Sequence, residues 1–372
     1  MSSTDPAPIL EEHRFHCDQC GSDYRFAPGE GALVCDHCGH RQQIAAPGPW
    51  SGALTELDFN AALAQNLPAS EIEETRVSTC TGCGAQVEFD PAVHALDCPF
   101  CATPLVADTG RHRHIKPRAV LPFVLTESAA RKAMTDWLGK LWFAPNGLQD
   151  YARRGRSMTG IYVPFWTFDA DTESRYSGQR GTVYYETRRV VQNGKTVTQQ
   201  VPKMRWTSVS GRVRRWFDDV LVLASTSLPR RYTDGLEPWD LSALHPYRPE
   251  YLAGFRAEGY VVDLEAGFAL ARARMDRVIE RDVRFDIGGD SQRISHIDTR
   301  ISNVTFKHIL LPVWLAAYRY RGQTYRFVVN GATGRVQGER PWSMWKIAFA
   351  VILGGLAAAA VGYGVALNEG LF

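Results

Sequence analysis

The most apolar segment of the chain lies near its C-terminus, where residues 347–367 carry no charged side chain over 21 positions. A helix of this length, at ~1.5 Å per residue, spans the ~30 Å hydrocarbon core of a bilayer. Trp342, Trp345 and Lys346 stand just before it, as is typical of a membrane interface. The pattern predicts a single-pass anchor with a short tail over 341–372, whereas the alternative is a buried, Ala-rich core helix.

The middle of the chain mixes helical and strand-like patterns and predicts a β-rich α+β body over residues 111–340. Thr126 is placed to cap a helix over 127–143, and a second helix with a regular apolar stripe covers 264–281. Gln192-Asn193-Gly194 between two β-rich runs predicts a hairpin. The predicted strands are 161–168, 181–191, 195–205, 208–216, 220–224, 293–306, 309–320 and 324–329.

Two strand-like segments of the body resemble each other. Ile161-Tyr-Val-Pro-Phe-Trp166 matches Ile309-Leu-Leu-Pro-Val-Trp314 in the positions of proline and tryptophan. Proline lacks the N–H that a central strand needs, so Pro164 and Pro312 predict an edge or a bulge. We expect both segments to organise the core rather than to bind a ligand.

All eight cysteines of the chain fall into four Cys-x2-Cys pairs, and the pairs form two sets that repeat with a period of 63 residues. In each set, fourteen residues separate the two pairs, and glycines follow the first three pairs directly. Two thiolates on one tight turn supply half of a tetrahedral zinc site, and a second turn returned by a hairpin completes it. The predicted ligands are Cys17, Cys20, Cys35 and Cys38 in the first set, and Cys80, Cys83, Cys98 and Cys101 in the second.

The spacing therefore predicts two structural Zn²⁺ ions in two zinc ribbons. Soft thiolate ligands in closed four-coordination favour structural over catalytic zinc, while an iron–sulfur cluster and a redox Cys-x2-Cys pair are the alternatives. Since four cysteines fill each site, His16, His37, His40 and His94 are interpreted as residues outside the metal ligands. The predicted domains are ribbon 1 over 1–45, a linker with a short helix over 46–75, and ribbon 2 over 76–110.

Charge is distributed unevenly along a chain whose formal net charge is only +2. Residues 1–110 carry sixteen acidic and four basic side chains, a net charge of −12, and the remainder carries +14. The polar first ten residues lack the apolar core of a secretory signal, so we expect a cytoplasmic N-terminal part and an anchor in the cell (inner) membrane. Cytosolic thiols stay reduced, which favours metal sites over disulfides.

The sequence gives no support for catalysis, and we predict that the chain is not an enzyme. Lys195-Thr196 follows a glycine, but Val190 stands where the first glycine of a phosphate-binding loop is required. Asp169, Asp171, Asp218 and Asp219 are interpreted as residues of solvated turns. We therefore assign no catalytic and no cofactor-binding residues.

Three features together resemble a family of bacterial membrane-anchored zinc-ribbon proteins: the paired transcription-factor-IIB-type ribbons, the segment from Gly160 to Asp169, and Leu311-Pro-Val-Trp314 with Val329-Asn-Gly-Ala-Thr-Gly334 before a terminal helix. The resemblance covers most of the chain. Members often carry the label of primosomal protein N-prime, the replication factor Y helicase, although this chain has no helicase motifs to match. The resemblance implies an association with phage-shock and SPFH-type membrane-stress proteins and a recruitment role.

We therefore expect a membrane-anchored, zinc-binding adaptor or scaffold whose cytoplasmic ribbons recruit protein partners, phage-shock or SPFH-type membrane proteins among them. The alternative is a nucleic-acid-binding ribbon protein linked to replication or transcription, which the acidic ribbons disfavour because phosphate binding needs positive charge. Basic clusters in the body are candidates for contact with membrane lipid. Small residues at Gly354, Ala358 and Gly362 are compatible with a homo-oligomer.

Overall fold

The protein is described here from a computed structural model. The described residues are 15–45, 54–82, 84–88, 95–98, 100, 103–106, 111–142, 158–192, 195–320, 323–339 and 343–368.

Within these residues the fold is mixed α+β, as the sequence predicts, with an N-terminal zinc ribbon, a large mixed sheet and an apolar C-terminal helix. The helices are α1 Phe59–Leu63, α2 Glu127–Gly139, α3 Arg230–Gly235, α4 Leu264–Ile287 and α5 Met344–Asn368. Short 3-10 helices cover Ala69–Glu71, Leu241–Ala243 and Pro249–Leu252. The strands are β1 Tyr24–Ala27, β2 Ala32–Cys35, β3 Arg41–Gln43, β4 Leu57–Asp58, β5 Ile72–Thr79, β6 Gln86–Glu88, β7 Ala95–Asp97, β8 Pro104–Val106, β9 Arg111–Ile115, β10 Ala119–Val120, β11 Thr159–Gln192, β12 Lys195–Leu223, β13 His245–Pro246, β14 Arg256–Ala257, β15 Ser291–Tyr320, β16 Gln323–Asn330 and β17 Val336–Gly338.

Three very long antiparallel strands dominate the body. The main sheet has the order β12-β11-β15-β10-β13; in addition, β14 pairs with β11, β4 and β16 pair with β15, and β17 pairs with β16. The predicted hairpin is confirmed, since Gln192 pairs with Lys195. The predicted runs 161–168 and 181–191 are nevertheless one strand, and the predicted gap between them is wrong. Every second residue from 170 to 178 is buried, but apart from Tyr176 the buried ones are small or polar (Ala170, Thr172, Ser174 and Gly178), so the apolar pattern fades while the backbone ladder continues through a bulge near Phe168.

The two similar proline-containing segments pair with each other at the centre of this sheet, because Tyr162 lies opposite Pro312. Each proline lies where a neighbouring strand ends. The carbonyl of Pro164 accepts a 3.0 Å hydrogen bond from the N–H of Ala224, one residue beyond β12, and the carbonyl of Pro312 accepts one of 2.8 Å from Gly331, one residue beyond β16. The prediction of an edge is therefore right locally, although the strands as a whole are central.

Both predicted body helices form, and their ends differ from the predicted ones. The Thr126 side chain caps α2 by accepting a hydrogen bond from the N–H of Ala129. Helix α4 runs six residues further than predicted, since Val283 and Ile287 continue its buried stripe before it ends at Gly288, with φ of 66°. The short helix predicted in the linker covers Phe59–Leu63 and begins only after residues 57–58, which pair with β15 as β4.

The core lies on both faces of the main sheet, and strand alternation assigns each residue to a face. Tyr162 belongs to a cluster with α2 and ribbon 1, whereas its neighbours Ile161 and Val163 belong to a cluster with ribbon 2. A third cluster joins Trp166 and Phe168 to helix α4. The sheet is thus packed on both sides, with the two ribbon segments on opposite faces.

Helix α5 is long and apolar enough to span a membrane. Its window Met344–Gly362 has a mean hydropathy of 1.9, and none of it is buried against the rest of the protein. This exposure contradicts the alternative of a buried core helix, because a soluble protein hides such a surface.

Candidate metal centre

The first cysteine set converges on one point at the end of the β1–β2 hairpin. Tyr24 pairs with Cys35 across the hairpin, so the turn before β1 and the turn after β2 meet at the same end. The four Sγ atoms of Cys17, Cys20, Cys35 and Cys38 all lie within 4.8 Å of one another. One side of the site faces solvent, since Cys20 and Cys38 are exposed whereas Cys17 and Cys35 are buried.

The two turns have the same backbone hydrogen bonds. The N–H of Cys17 donates to the carbonyl of Ser22 at 2.7 Å, and the N–H of Gly21 donates back to the carbonyl of Cys17 at 2.8 Å. Cys35 and Gly39 repeat this pattern at 2.9 Å for both bonds. Gly21 and Gly39 take φ of 73° and 74°, a conformation that glycine adopts without steric cost.

The sulfur separations fit one tetrahedral zinc ion. The Cys17–Cys38 and Cys20–Cys35 Sγ distances are both 3.5 Å. A disulfide requires about 2.05 Å, whereas thiolates at ~2.3 Å from a tetrahedral Zn²⁺ are separated by roughly 3.8 Å. The donor set and its geometry therefore fit zinc at Cys17, Cys20, Cys35 and Cys38.

The electrostatics of the four thiols favour a cation at their centre. Burial alone would raise the pKa of Cys17, but hydrogen bonds from the backbone of Gln19 and Cys20 outweigh it and lower the pKa to about 6. A backbone hydrogen bond from His40 lowers the pKa of Cys38, but burial and the neighbouring thiols outweigh that and raise it to about 12. Four thiols this close ionise together only around a positive charge, which a zinc ion supplies.

The histidines near ribbon 1 have other partners than the sulfur atoms. His40 Nδ1 lies 2.5 Å from the hydroxyl of Tyr24, and His16 Nδ1 lies 3.1 Å from Asp23. His94 lies outside the described residues. The interpretation of His16 and His40 as residues outside the ligand set agrees with these contacts.

Ribbon 1 is held firmly on the body. The N–H of Phe26 donates a 2.9 Å hydrogen bond to the carbonyl of Ala253, and the N–H of Gly29 donates one of 3.0 Å to Phe123. The Phe26 ring, 1% exposed, packs edge-on against Tyr251 at a centroid distance of 5.4 Å. The body therefore fixes the inner side of ribbon 1 and leaves the two cysteine turns at its outer end.

The second cysteine set is described in part, because Cys83 and Cys101 lie outside the described residues. Cys80 and Cys98 are both 2% exposed, and they belong to the core cluster on the other face of the main sheet. The N–H of Cys80 donates to Ala85 and the N–H of Cys98 donates to Thr103, both at 2.8 Å. These bonds repeat the turn geometry of ribbon 1.

A buried charged cluster in the body was misinterpreted from the sequence. Asp169 is 6% exposed at a bulge of β11, and its carboxylate accepts a 2.6 Å hydrogen bond from the N–H of Asp219. Lys307 Nζ lies 2.7 Å from Glu56 and 2.8 Å from Asp219. Asp169 therefore does not lie in a solvated turn. The sequence does indicate its burial, because Asp169 directly follows a long apolar run and Lys307 lies shortly before another.

The charges of this cluster compensate one another. Burial, and then the neighbouring Glu56, raise the pKa of Asp169 to about 7. Burial would raise the pKa of Glu56, but hydrogen bonds from Asp169 and Lys307 outweigh it and lower the pKa to about 2. Although the three carboxylates lie close enough to hold a metal ion, the Lys307 ammonium already supplies their cation. The cluster ties the linker between the ribbons to the sheet.

Comparison with known proteins supports the metal centre directly. Residues 11–43 match the family described as the zinc-finger of RNA-polymerase I-specific TFIIB, Rrn7. The whole chain is similar to the uncharacterized protein YdjG of Bacillus subtilis (strain 168), with 29% identity over 347 residues that cover 92% of this chain and 94% of that protein. No solved structure matches the chain. The chain thus contains a TFIIB-type zinc ribbon with one four-cysteine site, and an apolar helix of membrane-span length.

Proposed function

We propose that this protein is a membrane-anchored zinc-binding adaptor that recruits partner proteins through the outer end of ribbon 1, and that it is not an enzyme. The observation that carries the proposal is the way ribbon 1 is held. Its inner side is fixed to the body at Ala253 and Phe123, and its metal turns face outward. A rigid, metal-stabilised surface on an anchored body is suited to holding a partner at a membrane.

The exposed surface of ribbon 1 has the composition of a recognition site rather than a reaction site. Asp18, Asp36 and His37 surround the exposed Cys20 and Cys38. A closed four-cysteine zinc site leaves no position for water or substrate. The acidic side chains favour a partner with basic residues, and they disfavour nucleic acid.

We also propose that ribbon 2 holds a second Zn²⁺ through Cys80, Cys83, Cys98 and Cys101. The support is the repeated turn geometry. All four cysteine pairs begin with an N–H that donates to the carbonyl five residues later, at Ser22, His40, Ala85 and Thr103. The N–H of Gly82 also donates a 3.3 Å hydrogen bond to the Cys80 sulfur. Backbone N–H groups directed at cysteine sulfur are typical of turns that bind metal.

The membrane side of the proposal rests on α5 and its flanks. We place the body and ribbons in the cytoplasm and α5 in the cell membrane, because Trp345 and Lys346 stand at its N-terminal end. The partners that we propose are membrane-associated stress proteins of the phage-shock or SPFH type.

The test is affinity capture of the full chain from detergent-solubilised, nuclease-treated membranes, compared across matched variants. Deleting the ribbons would be a poor control, since it would uncover Phe123, Tyr251 and other core residues. We would instead compare Asp18→Lys/Asp36→Lys at the metal turns with Glu265→Lys/Asp276→Lys on the exposed side of α4, because both pairs change the net charge equally.

We expect the same co-purifying proteins with the wild type and with the α4 variant, and their loss with the ribbon variant. Equal capture by all three would contradict the adaptor role. Partners released by nuclease treatment alone would instead favour the nucleic-acid alternative.

A further inference from the structure

The body carries an arm that none of the functions above uses. It consists of residues 171–192 and 195–216 of β11 and β12 together with residues 291–302 of β15, which pairs with β11 as far as Gly181. Beyond Gly181 the hairpin continues alone to Gln192. A strand rises about 3.3 Å per residue, so the arm reaches tens of ångströms beyond the core.

Helix α4 covers one face of the arm. Tyr176, Phe217 and Ile287 form a buried cluster between the sheet and the helix. The Tyr176 hydroxyl donates a 2.5 Å hydrogen bond to Asp286, and Arg215 forms an ion pair of 2.5 Å with Asp282. We call the opposite side of this sheet the open face.

The open face presents arginines and exposed aromatic rings together. Strand alternation and register assign the following arginines to it: Arg175, Arg189, Arg212, Arg214, Arg293 and Arg300. Trp216 and Tyr185, on the same side, are 63% and 64% exposed. Asp171, Glu173 and Asp298 are the acidic residues of this face. Its charge is therefore positive.

The hairpin as a whole is also positively charged. Residues 171–216 contain ten basic and three acidic side chains, a net charge of +7 in a chain whose total is +2. Glu173 partly neutralises Arg212 and Arg214, at 2.9 and 3.3 Å, and the six arginines of the face against its three carboxylates leave a net charge of +3 to attract an anionic surface.

The arrangement of the aromatic residues decides between anionic partners. The Arg293 guanidinium lies 3.9 Å above the ring of Trp206, so that ring face is closed to a nucleic-acid base. Met204 and Val183 lie opposite each other beside Trp206, and Met204 is 38% exposed. Apolar and aromatic side chains interleaved with arginine match the level of lipid headgroups, where rings enter the interface and guanidinium groups meet phosphate.

We infer that the open face of the arm is a docking surface for an anionic lipid membrane. The inference rests on the membrane location in the proposed function but not on the adaptor role. The face is long, so its contact with a bilayer would orient the whole body, and with it the outer end of ribbon 1.

The test measures vesicle binding by the arm separately from membrane insertion of α5. The full chain is embedded by α5 in nanodiscs of neutral phosphatidylcholine, and its flotation is measured with added vesicles of phosphatidylcholine alone or with about one third phosphatidylglycerol. Incorporation into the nanodiscs reports on the anchor by itself. If the chain does not enter nanodiscs, the proposal that α5 is a membrane anchor is contradicted. Flotation of the free chain with the same vesicles then still tests lipid binding by the arm.

Matched variants make the result specific. Arg175→Glu/Arg300→Glu reverses two exposed charges on the open face, and Arg272→Glu/Arg277→Glu makes the same charge change on the exposed side of α4. Trp216→Ser removes the exposed ring, and Phe285→Ser removes one that is 90% exposed on α4. Each site is exposed, so all four variants are expected to fold.

We expect binding to anionic vesicles but not to neutral ones, and its loss at roughly 0.5 M salt. The open-face charge reversal should weaken binding at least about tenfold and Trp216→Ser a few-fold, whereas both α4 controls should bind as the wild type does. Equal binding to neutral and anionic vesicles, or equal losses in open-face and α4 variants, would overturn the inference. Arm-dependent binding of a duplex of about 30 base pairs without vesicle binding would also overturn it, in favour of nucleic acid.

Discussion

The two cysteine-containing segments repeat the same spacing, yet they meet the body in different ways. Ribbon 1 packs on the α2 side of the main sheet through Phe26 and leaves Cys20 and Cys38 exposed. The second segment packs on the other side, where Cys80 and Cys98 lie in a core cluster with Ile161 and Val163, as the matching Cys17 and Cys35 of ribbon 1 lie in the cluster on their own side. The same local motif is therefore docked on opposite faces of one sheet, with the first cysteine of each pair buried in both cases.

One stretch of the body links the two sides. Residues Tyr251–Phe255 contact ribbon 1, and β14, which follows directly, packs against β6 of the second segment. Glu258 comes next and is buried with Ser225 and Ser227, and Thr226 between these two serines lies close to Gly84 of the second segment. We therefore expect a substitution that unfolds one ribbon to disturb first the body residues on its own side of the sheet.

The largest expected effect comes from removing a metal ligand. Cys35→Ser should unfold ribbon 1, because structural zinc contributes on the order of 10 kcal/mol to a ribbon that buries little by itself. Hydrogen exchange should show lost protection over 15–45 and at the Phe26–Ala253 hydrogen bond. Cys98→Ser is the matched variant, and it should leave ribbon 1 protected; equal loss over both ribbons in either variant would contradict independent docking.

A smaller effect is expected from the packing contacts. Phe26→Ala should lower the free energy of unfolding of ribbon 1 by about 3–5 kcal/mol, and Phe100→Ala should do the same to the second segment, since each ring is 1% exposed. Phe285→Ala, at a ring 90% exposed, should change it by less than about 0.5 kcal/mol. Protection measured by hydrogen exchange at the two ribbons distinguishes the two sides, and unchanged protection after Phe26→Ala would contradict the docking of ribbon 1.

The two sides should also differ in their response to pH. Burial raises the pKa of Glu258 to about 8. The folded state therefore holds its proton between the ordinary carboxyl pKa and pH 8, so this contribution to stability is present at low pH and is lost as pH rises toward 8 and above. Contacts of the second segment should weaken from pH 6 to pH 9, by an amount on the order of 3 kcal/mol, and Glu258→Gln should remove that dependence. Persistence of the same pH dependence in Glu258→Gln would contradict this assignment.

The smallest effect is expected at the surface of ribbon 1. Arg25 Nε lies 2.7 Å from Asp36, but the two side chains are 49% and 66% exposed. Arg25→Ala should therefore change the stability of ribbon 1 by less than about 1 kcal/mol, in contrast to the nearby Phe26→Ala. An apparent melting temperature of the zinc-loaded, detergent-solubilised chain checks this, and a loss as large as that of Phe26→Ala would mean that the ion pair, rather than the aromatic contact, holds the ribbon.

The sequence was most informative where chemistry depends on local spacing. Cys17, Cys20, Cys35 and Cys38 form a zinc site because two short turns and one hairpin fix their geometry, so spacing alone predicts it. Thr126 as a helix cap and the hairpin at Gln192 were predictable for the same reason. These features involve contacts within a few residues or between adjacent strands.

What the sequence did not reveal depends on contacts between distant residues. Nothing in the cysteine pattern indicates that Phe26 packs on Tyr251, or that the two ribbons take opposite faces of one sheet. Asp169 was misinterpreted because its partners, Glu56 and Lys307, lie far away in the chain. The continuous length of β11 was missed because most buried residues between 169 and 180 are small or polar, so that this part of the strand has no apolar alternation.

The most direct test of the account is the zinc content of the purified full chain, measured by mass spectrometry in the wild type and in Cys35→Ser and Cys80→Ser. We predict two zinc ions per chain in the wild type and one in each variant. One zinc ion per chain in the wild type, unchanged by Cys80→Ser, would contradict the claim that the repeated cysteine turns build two metal sites on opposite faces of the sheet.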